Sequence, residues 1–83
     1  MRVKVLYFGV LKDMVGHRSS EMEMPEGVSV AELVRRHAMQ FEAPAQVWDA
    51  IAVAVNRQCA RAEDVLREGD EVALLPPVSG GLQ

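Results

Sequence analysis

Polar and hydrophobic residues alternate at the start of the chain as far as Val5, and the whole segment Arg2–Phe8 is rich in β-branched and aromatic residues. This pattern predicts a β-strand, whose successive side chains point to opposite faces. A second alternation covers Ser20–Met24 and ends at Pro25. The two segments predict an antiparallel hairpin, and a short helical pattern over 10–15, capped by Gly16, lies between them.

The longest helical pattern begins at Ser29. Ser29 and Glu32 have the spacing of a capping box, in which the hydroxyl accepts a bond from a backbone amide and the acid reaches back to the cap. The predicted apolar face of this helix consists of Val30, Leu33, Val34, His37 and Phe41. Pro44 limits the length of the helix, because proline has no amide hydrogen to donate.

The second half of the chain predicts mostly β-structure. The predicted strands cover 51–55, 59–61 and 71–75, with turns at 56–58 and 67–70. The segment 45–50 is ambiguous, and a short second helix there would carry Trp48 into the core. Residues 64–66 predict a single helical turn. The resulting order is β-β-α-β-β-β with small helical insertions.

This order predicts an α+β fold. One amphipathic helix covers only one face of a sheet, so we expect a mixed sheet packed on one main helix, with the first and last strands adjacent at its centre. That arrangement is the ubiquitin-like β-grasp. We expect the β-grasp domain to cover 1–75 and an extended, flexible C-terminal tail to cover 76–83, since Pro76 and Pro77 can neither extend a sheet nor form a helix.

One face of the predicted sheet is apolar although the main helix does not cover it. The residues directed toward the helix are Val3, Val5, Tyr7, Ile51, Val53, Val55, Val72 and Leu74. The opposite face carries Leu6, Phe8, Ala52, Ala54, Ala73 and Leu75. Because a contiguous exposed apolar surface usually marks an interface, we predict a protein partner there. The alternatives are that Trp48, the 10–15 segment or self-association covers this face.

Composition and charge exclude several classes of function. The net charge is −3 and basic residues are scattered among acids, which argues against a nucleic-acid partner. No apolar run is long enough to cross a bilayer and the chain does not start like a signal peptide, so we expect a cytoplasmic protein with no membrane partner. The single cysteine, Cys59, excludes an internal disulfide and a cysteine-rich metal site, and we expect it half-buried in a strand.

Neither histidine has a second ligand at metal-binding spacing. We therefore expect His37 to be a hydrogen-bonded core residue and His17 to be a surface residue, and we expect no metal site. The sequence has no P-loop or dinucleotide motif either, so any nucleotide that the function of this protein requires must bind to a partner.

Several segments resemble one family. The order of elements, the segment 68–81 with its Pro-Pro and Gly-Gly pairs, the opening 4–8 and the strand 53–56 resemble the small, sulfur-carrier subunit of molybdopterin synthase. The resemblance covers nearly the whole chain, and the C-terminal dozen residues are its most specific part. The related thiamine sulfur carriers share the fold and the Gly-Gly end but are generally shorter and lack the proline pair.

The resemblance implies a chemical cycle on the carboxylate of Gly81. An adenylating enzyme similar to ubiquitin activators uses ATP to form an acyl-adenylate, and a sulfur donor protein converts it to a thiocarboxylate. The sulfur is then transferred to a cyclic pyranopterin precursor in the large subunit of molybdopterin synthase. The active site is thus expected on the large subunit, and this chain is a non-catalytic sulfur donor that binds no cofactor itself.

The resemblance also implies roles for individual residues. Gly80 and Gly81 match the functional end, and the threaded tail is matched by Pro76, Pro77, Val78 and Ser79. The hydrophobic surface shared by the activating enzyme and the large subunit is matched by Phe8, Cys59 and Leu75, although Cys59 replaces what is more typically a larger apolar residue. Strand alternation adds Leu6 and Ala73 to this surface.

The sequence departs from the family at its end, where Leu82 and Gln83 follow Gly81. An internal peptide carbonyl cannot be adenylated. Either a C-terminal processing peptidase removes the two residues, or the chain is a precursor or an engineered form.

Two other functions stay open at this point. The chain could carry sulfur for thiamine or another sulfurated metabolite, in which case the identity of its partners differs. It could also be a pure interaction module, for which the Gly-Gly end is incidental. Truncation of the tail separates that case, because a module would keep its function and a carrier would lose it.

Overall fold

The structure is a computed structural model that describes residues 1–77. Within this range the elements are β1 (Arg2–Tyr7), α1 (Val10–Val15), β2 (Ser19–Glu23), α2 (Val30–Gln40), α3 (Ala45–Asp49), β3 (Ala52–Val55), β4 (Gln58–Cys59) and β5 (Glu71–Leu75). The predicted order of strands and main helix is confirmed. No helix in this part of the chain is long and apolar enough to span a membrane.

The strands form a five-stranded mixed sheet in the order β2-β1-β5-β3-β4. The two central strands β1 and β5 are parallel, with Val5 opposite Val72. The other pairs are antiparallel, including the predicted hairpin partners β1 and β2. This α+β arrangement is the predicted ubiquitin-like β-grasp.

The helix α2 is held at its start by half of the predicted capping box. Ser29 Oγ accepts a hydrogen bond from the amide of Glu32 at 3.1 Å. The Glu32 carboxylate does not reach back to the cap, however. It accepts hydrogen bonds from Arg35 and Arg36 instead, because these side chains lie three and four residues further along the helix surface. These bonds lower the pKa of Glu32 to about 2.

The predicted helical turn over 64–66 is wrong. Val65 instead forms an isolated antiparallel bridge with Ser29, and the carbonyl of Asp64 accepts from the amide of Val30 at 2.9 Å. The first amides of a helix have no partner inside the helix. The segment is extended because in that form it accepts bonds from amides at the start of α2.

The hairpin between β3 and β4 is tighter than predicted. Asn56 and Arg57 both have positive φ, 52° and 70°, which is the pattern of a two-residue hairpin turn. Strand β4 therefore begins at Gln58, inside the predicted turn, and it ends at Cys59. The ambiguous segment 45–50 forms the short helix α3, where Trp48 is half-buried and packs against the core.

The core lies between α2 and one face of the sheet. Its buried apolar side chains are Val3, Val5, Tyr7, Leu11, Met24, Val28, Val30, Leu33, Val53, Leu66, Val72 and Leu74. The predicted facing of the strands is confirmed, although Ile51 and Val55 are only half-buried. Because one helix covers one face, the other face of the sheet remains available for function.

Candidate partner-binding face and tail exit

The register of the strands places three predicted site residues, together with Ala54, in one row across the sheet. Leu6 lies opposite Ala73, and Ala73 lies opposite Ala54. Ala54 in turn lies opposite Cys59 of β4. Paired residues of neighbouring strands point to the same side of a sheet. The row therefore lies on the face opposite the core, because Val5 and Val72, each one residue earlier on its strand, are fully buried on the other side.

A second apolar row adjoins the first. Leu75 lies opposite Ala52, and Phe8 follows the end of β1, two residues beyond Leu6. The side chain of Phe8 is 45% exposed, which is unusual for a large aromatic residue in a small domain. We call the surface formed by these two rows the apolar face. Its members are Leu6, Phe8, Ala52, Ala54, Cys59, Ala73 and Leu75.

A charged row borders the apolar face on the side away from Phe8. Lys4 lies between Glu21 of β2 and Glu71 of β5 in the register. Its side chain is exposed, as is that of Glu21. An apolar centre with a charged rim is the usual composition of a protein interface.

Two parts of the molecule, α1 and Trp48, are the alternatives that could cover the apolar face from within the chain. Leu11 anchors α1 in the core, where its side chain is fully buried. Trp48 and Val30 of α2 line an apolar groove of about 500 Å³ beside the helix, and Ala52 and Cys59 line the same groove. Trp48 thus reaches the apolar face only at its β3–β4 edge, and the rest of that face remains available to a protein partner.

Cys59 is exposed, so the expectation that it is half-buried is wrong. Strand β4 is only two residues long and lies at the edge of the sheet. A residue on an edge strand has a neighbouring strand on one side only, so fewer side chains cover it. The register nevertheless brings Cys59 into the same row as Leu6 and Ala73, as the predicted partner surface requires.

The tail leaves the sheet beside the apolar face. Strand β5 ends at Leu75, and Pro76 and Pro77 follow outside the ladder. Pro76 lies against Gly9, where a Cβ atom would be only 3.2 Å from the Cγ atom of the proline. The sequence pattern did not predict this contact. Its one signal is the glycine that separates the first strand from the first helix.

The remaining predicted tail residues lie outside the described part of the chain. They are Val78, Ser79, Gly80 and Gly81, followed by Leu82 and Gln83. Their roles, and the division into a domain over 1–75 and a tail over 76–83, stay predictions.

His37 is a buried, hydrogen-bonded core residue, as predicted. Its Nδ1 lies 3.0 Å from the carbonyl of Leu33, and its Nε2 lies 2.9 Å from the hydroxyl of Tyr7. A carbonyl oxygen only accepts, so Nδ1 carries the proton and Nε2 accepts from Tyr7, whose oxygen accepts from Ser20 at 2.8 Å. Burial lowers the pKa of His37 and raises that of Tyr7, so both groups stay neutral. We therefore assign this series of hydrogen bonds a structural role in the core.

Comparison with known proteins connects this geometry to a family. Residues 5–81 match the ThiS family. The molybdopterin synthase sulfur carrier subunit of Chlamydomonas reinhardtii is 32% identical over 98% of this chain and 100% of its own length.

Solved structures with a similar fold lead to the same family. SAMP1 from Haloferax volcanii superposes with a TM-score of 0.81 at 25% identity, over 98% of this chain and 100% of that one. A chain in the complex of subunits 1 and 2 of the molybdopterin-converting factor from Helicobacter pylori has a TM-score of 0.66 at 28% identity, over 98% and 100% of the two chains. This chain therefore belongs to the ThiS family, and within that family to the molybdopterin synthase sulfur carrier subunits.

Proposed function

We propose that this chain carries sulfur as a thiocarboxylate on Gly81 and donates it to a pyranopterin precursor in the large subunit of molybdopterin synthase. The observation that carries the proposal is the position of the tail exit at the border of the apolar face. Leu75 belongs to the apolar face and Pro76 follows it directly. A protein that binds this face is thereby placed next to the start of the tail.

The large subunit is the proposed occupant of the apolar face during sulfur transfer. The Helicobacter pylori neighbour was solved as a complex of subunits 1 and 2 of the molybdopterin-converting factor, which supports an analogous pairing here. The activating enzyme uses the same face in a separate step. A carrier that serves two enzymes in turn must release each of them, and an apolar face of small alanine side chains with one exposed phenylalanine suits a moderate affinity.

The proposed chemistry begins with a carboxylate, which is a poor electrophile. An oxygen of the Gly81 carboxylate attacks the α-phosphorus of ATP, and pyrophosphate leaves. The terminal sulfur of a persulfide on the donor protein then attacks the acyl carbon and AMP leaves, which gives an acyl disulfide. A second thiolate attacks the sulfur of the donor, so the thiocarboxylate leaves and a disulfide remains on the donor side. In the large subunit the thiocarboxylate sulfur displaces an oxygen leaving group from a carbon of the precursor, which gives a thioester between carrier and precursor. Water hydrolyses this thioester, which leaves the sulfur on the product as a thiol and restores the carboxylate. These ATP-dependent steps fit a cytoplasmic protein.

Chain length decides whether this chemistry is possible. Adenylation needs a free carboxylate on Gly81. In a form that ends at Gln83, Gly81 has only a peptide carbonyl, and the terminal main-chain carboxylate is that of glutamine, which has a larger side chain. Glycine can pass through a narrow channel and adopt conformations that other residues resist. We therefore expect the form with Leu82 and Gln83 to stay inactive until a peptidase removes both residues.

The test compares three purified forms with a cognate activating enzyme. Pyrophosphate release is expected only from the form that ends at Gly81, while forms that end at Gly80 or retain Leu82 and Gln83 should release none. Intact mass spectrometry checks that no trimming occurs and that sulfur replaces one oxygen after addition of the donor. Turnover by the untrimmed form would refute activation at Gly81. Sulfur transfer to a thiamine precursor in place of the pyranopterin would support the alternative carrier function.

A further inference from the structure

The loop between β1 and α1 contains a conformation that only glycine adopts readily. Gly9 has φ 56° and ψ −133°, and the amide of Leu11 donates to the carbonyl of Phe8 at 3.1 Å. These values match the first central position of a type II′ turn, where a positive φ is required. Any L-residue with a side chain is strained at this position.

The same glycine also provides space for the tail exit. The parallel register pairs Tyr7 with Leu74, so Gly9 and Pro76 each lie two residues beyond a paired position. A Cβ on Gly9 would lie 3.2 Å from Cγ of Pro76 and 4.0 Å from its Cδ. The shorter distance is below ordinary van der Waals contact, so a methyl group there would displace the proline ring. The turn conformation thus requires glycine at this position, and a methyl group added there fits only if the proline ring shifts by a few tenths of an ångström.

We propose that Gly9 is a positioning residue that sets the direction in which the chain leaves β5 at Pro76 and Pro77. Proline has a fixed φ, so the chain around Pro76 has few ways to adjust locally if the ring moves. A displacement of the ring therefore changes the direction in which the chain leaves the sheet at Pro77. The proposal rests on the proposed carrier function only for its consequence in turnover, because the contact itself is a property of the fold.

The proposal predicts a specific kinetic pattern for Gly9→Ala, measured with every variant in the form that ends at Gly81. The apolar face is intact in this variant, so the KM for the carrier in the activating reaction should change by less than about threefold. The turnover number should fall by about 10- to 100-fold, since small misplacements of a reacting group have effects of this size. Gly16→Ala is the matched control. Gly16 also has a positive φ, 89°, but nothing lies within 4 Å of its added Cβ.

A double-variant cycle separates positioning from backbone strain. Pro76→Ala removes the Cγ atom that the new methyl group would meet, so Gly9→Ala with Pro76→Ala should recover at least part of the turnover lost in Gly9→Ala. A simple loss of stability would not be rescued by a second change in the tail. Equal turnover for Gly9→Ala and Gly16→Ala, or no recovery in the double variant, would overturn the proposal.

A readout without enzyme keeps this inference distinct from the carrier function. In the full chain, nuclear Overhauser effects between the Gly9 α-protons and the Pro76 ring should be present, and they should persist in Gly16→Ala. In Gly9→Ala the chemical shifts of Pro76 and Pro77 should move while those of the core strands stay unchanged. If the form that ends at Gly81 releases no pyrophosphate but the chain shows this contact and its selective loss, the carrier function fails and the positioning role stands. Absence of the contact in the wild-type chain would refute the positioning role directly.

Discussion

The hydroxyl of Tyr7 donates a 2.9 Å hydrogen bond to Nε2 of His37, and this bond joins the central strand β1 to the helix α2 across the core. The two ring centroids are 5.6 Å apart, so the contact combines packing with polarity. Both side chains are nearly inaccessible to solvent. A buried polar group without a partner is costly, so this pair is a sensitive probe of how the helix is attached to the sheet.

Tyr7→Phe should destabilise the fold by about 1 to 3 kcal/mol, because His37 Nε2 would become a buried acceptor without a donor. The aromatic ring is retained, so packing changes little. Urea denaturation followed by circular dichroism measures the change. Ser20→Ala is the control, since it removes only the bond to the oxygen of Tyr7 and should cost about 0.5 to 1.5 kcal/mol. Identical midpoints for Tyr7→Phe and the wild type would contradict the assigned hydrogen bond.

His37 should make stability depend on pH. Burial lowers its pKa below 6.5, its ordinary value, so at intermediate pH the unfolded chain binds more protons than the folded one. The contribution of neutral His37 is therefore complete above about pH 6.5 and is lost as the pH falls toward the folded pKa. Urea unfolding between about pH 5 and 7.5 should show this slope. His37→Gln should reduce the dependence of the free energy of unfolding on pH, whereas His17→Gln should leave it unchanged. If the dependence is the same in His37→Gln as in the wild type, another group causes it.

Leu33→Ala should lower the free energy of unfolding by about 2 to 5 kcal/mol, because the side chain is fully buried and its loss leaves a cavity. Met39 lies on the same helix but is 74% exposed, so Met39→Ala should change stability by less than about 0.5 kcal/mol. Thermal and urea denaturation of both variants provide the comparison. A Leu33→Ala variant that melts like the wild type would mean that the faces of α2 are assigned in reverse.

Phe8→Asp should leave the domain folded and weaken its binding to both the large subunit and the activating enzyme. The side chain is 45% exposed in the free domain, whereas in a complex the new carboxylate would be buried without a partner. Such a substitution at an interface costs about 2 to 4 kcal/mol of affinity. Isothermal titration calorimetry measures it.

Met39→Asp is the matched control for Phe8→Asp, because it places the same carboxylate on an exposed apolar residue of α2, away from the apolar face. It should bind both partners like the wild type. Equal losses of affinity in the two variants would mean that the apolar face has no special role in binding, and unfolding of Phe8→Asp would place Phe8 in the core.

Local patterns were sufficient to predict the β-grasp. The alternation at Val3, Val5 and Tyr7 fixes which side of β1 is buried, because side chains of a strand have a period of two and a single helix covers a single face. The same rule identified Leu6 and Ala73 as members of the apolar face before the register was known. The short helix α1 and its glycine cap were also predictable, since a left-handed cap favours glycine.

The local patterns missed two features, of which one depends on residues distant in sequence and the other on competition between neighbours on a helix surface. Residues 64–66 have a plausible helical composition, but they are extended because the amides at the start of α2 need acceptors. Glu32 has the spacing of a capping box, yet its carboxylate binds Arg35 and Arg36, since two cations on the helix surface compete successfully with one backbone amide.

The sequence by itself determined the elements, their order and the apolar character of both sheet faces, because each of these follows from periodicity and from residues that end strands and helices. Only the tertiary structure decided that Cys59 is exposed at a sheet edge, that Tyr7 bonds to His37, and that Gly9 makes room for Pro76. The physical reason is the same in each case. These contacts join parts of the chain that become neighbours only when the sheet closes on the helix, so no local pattern contains them.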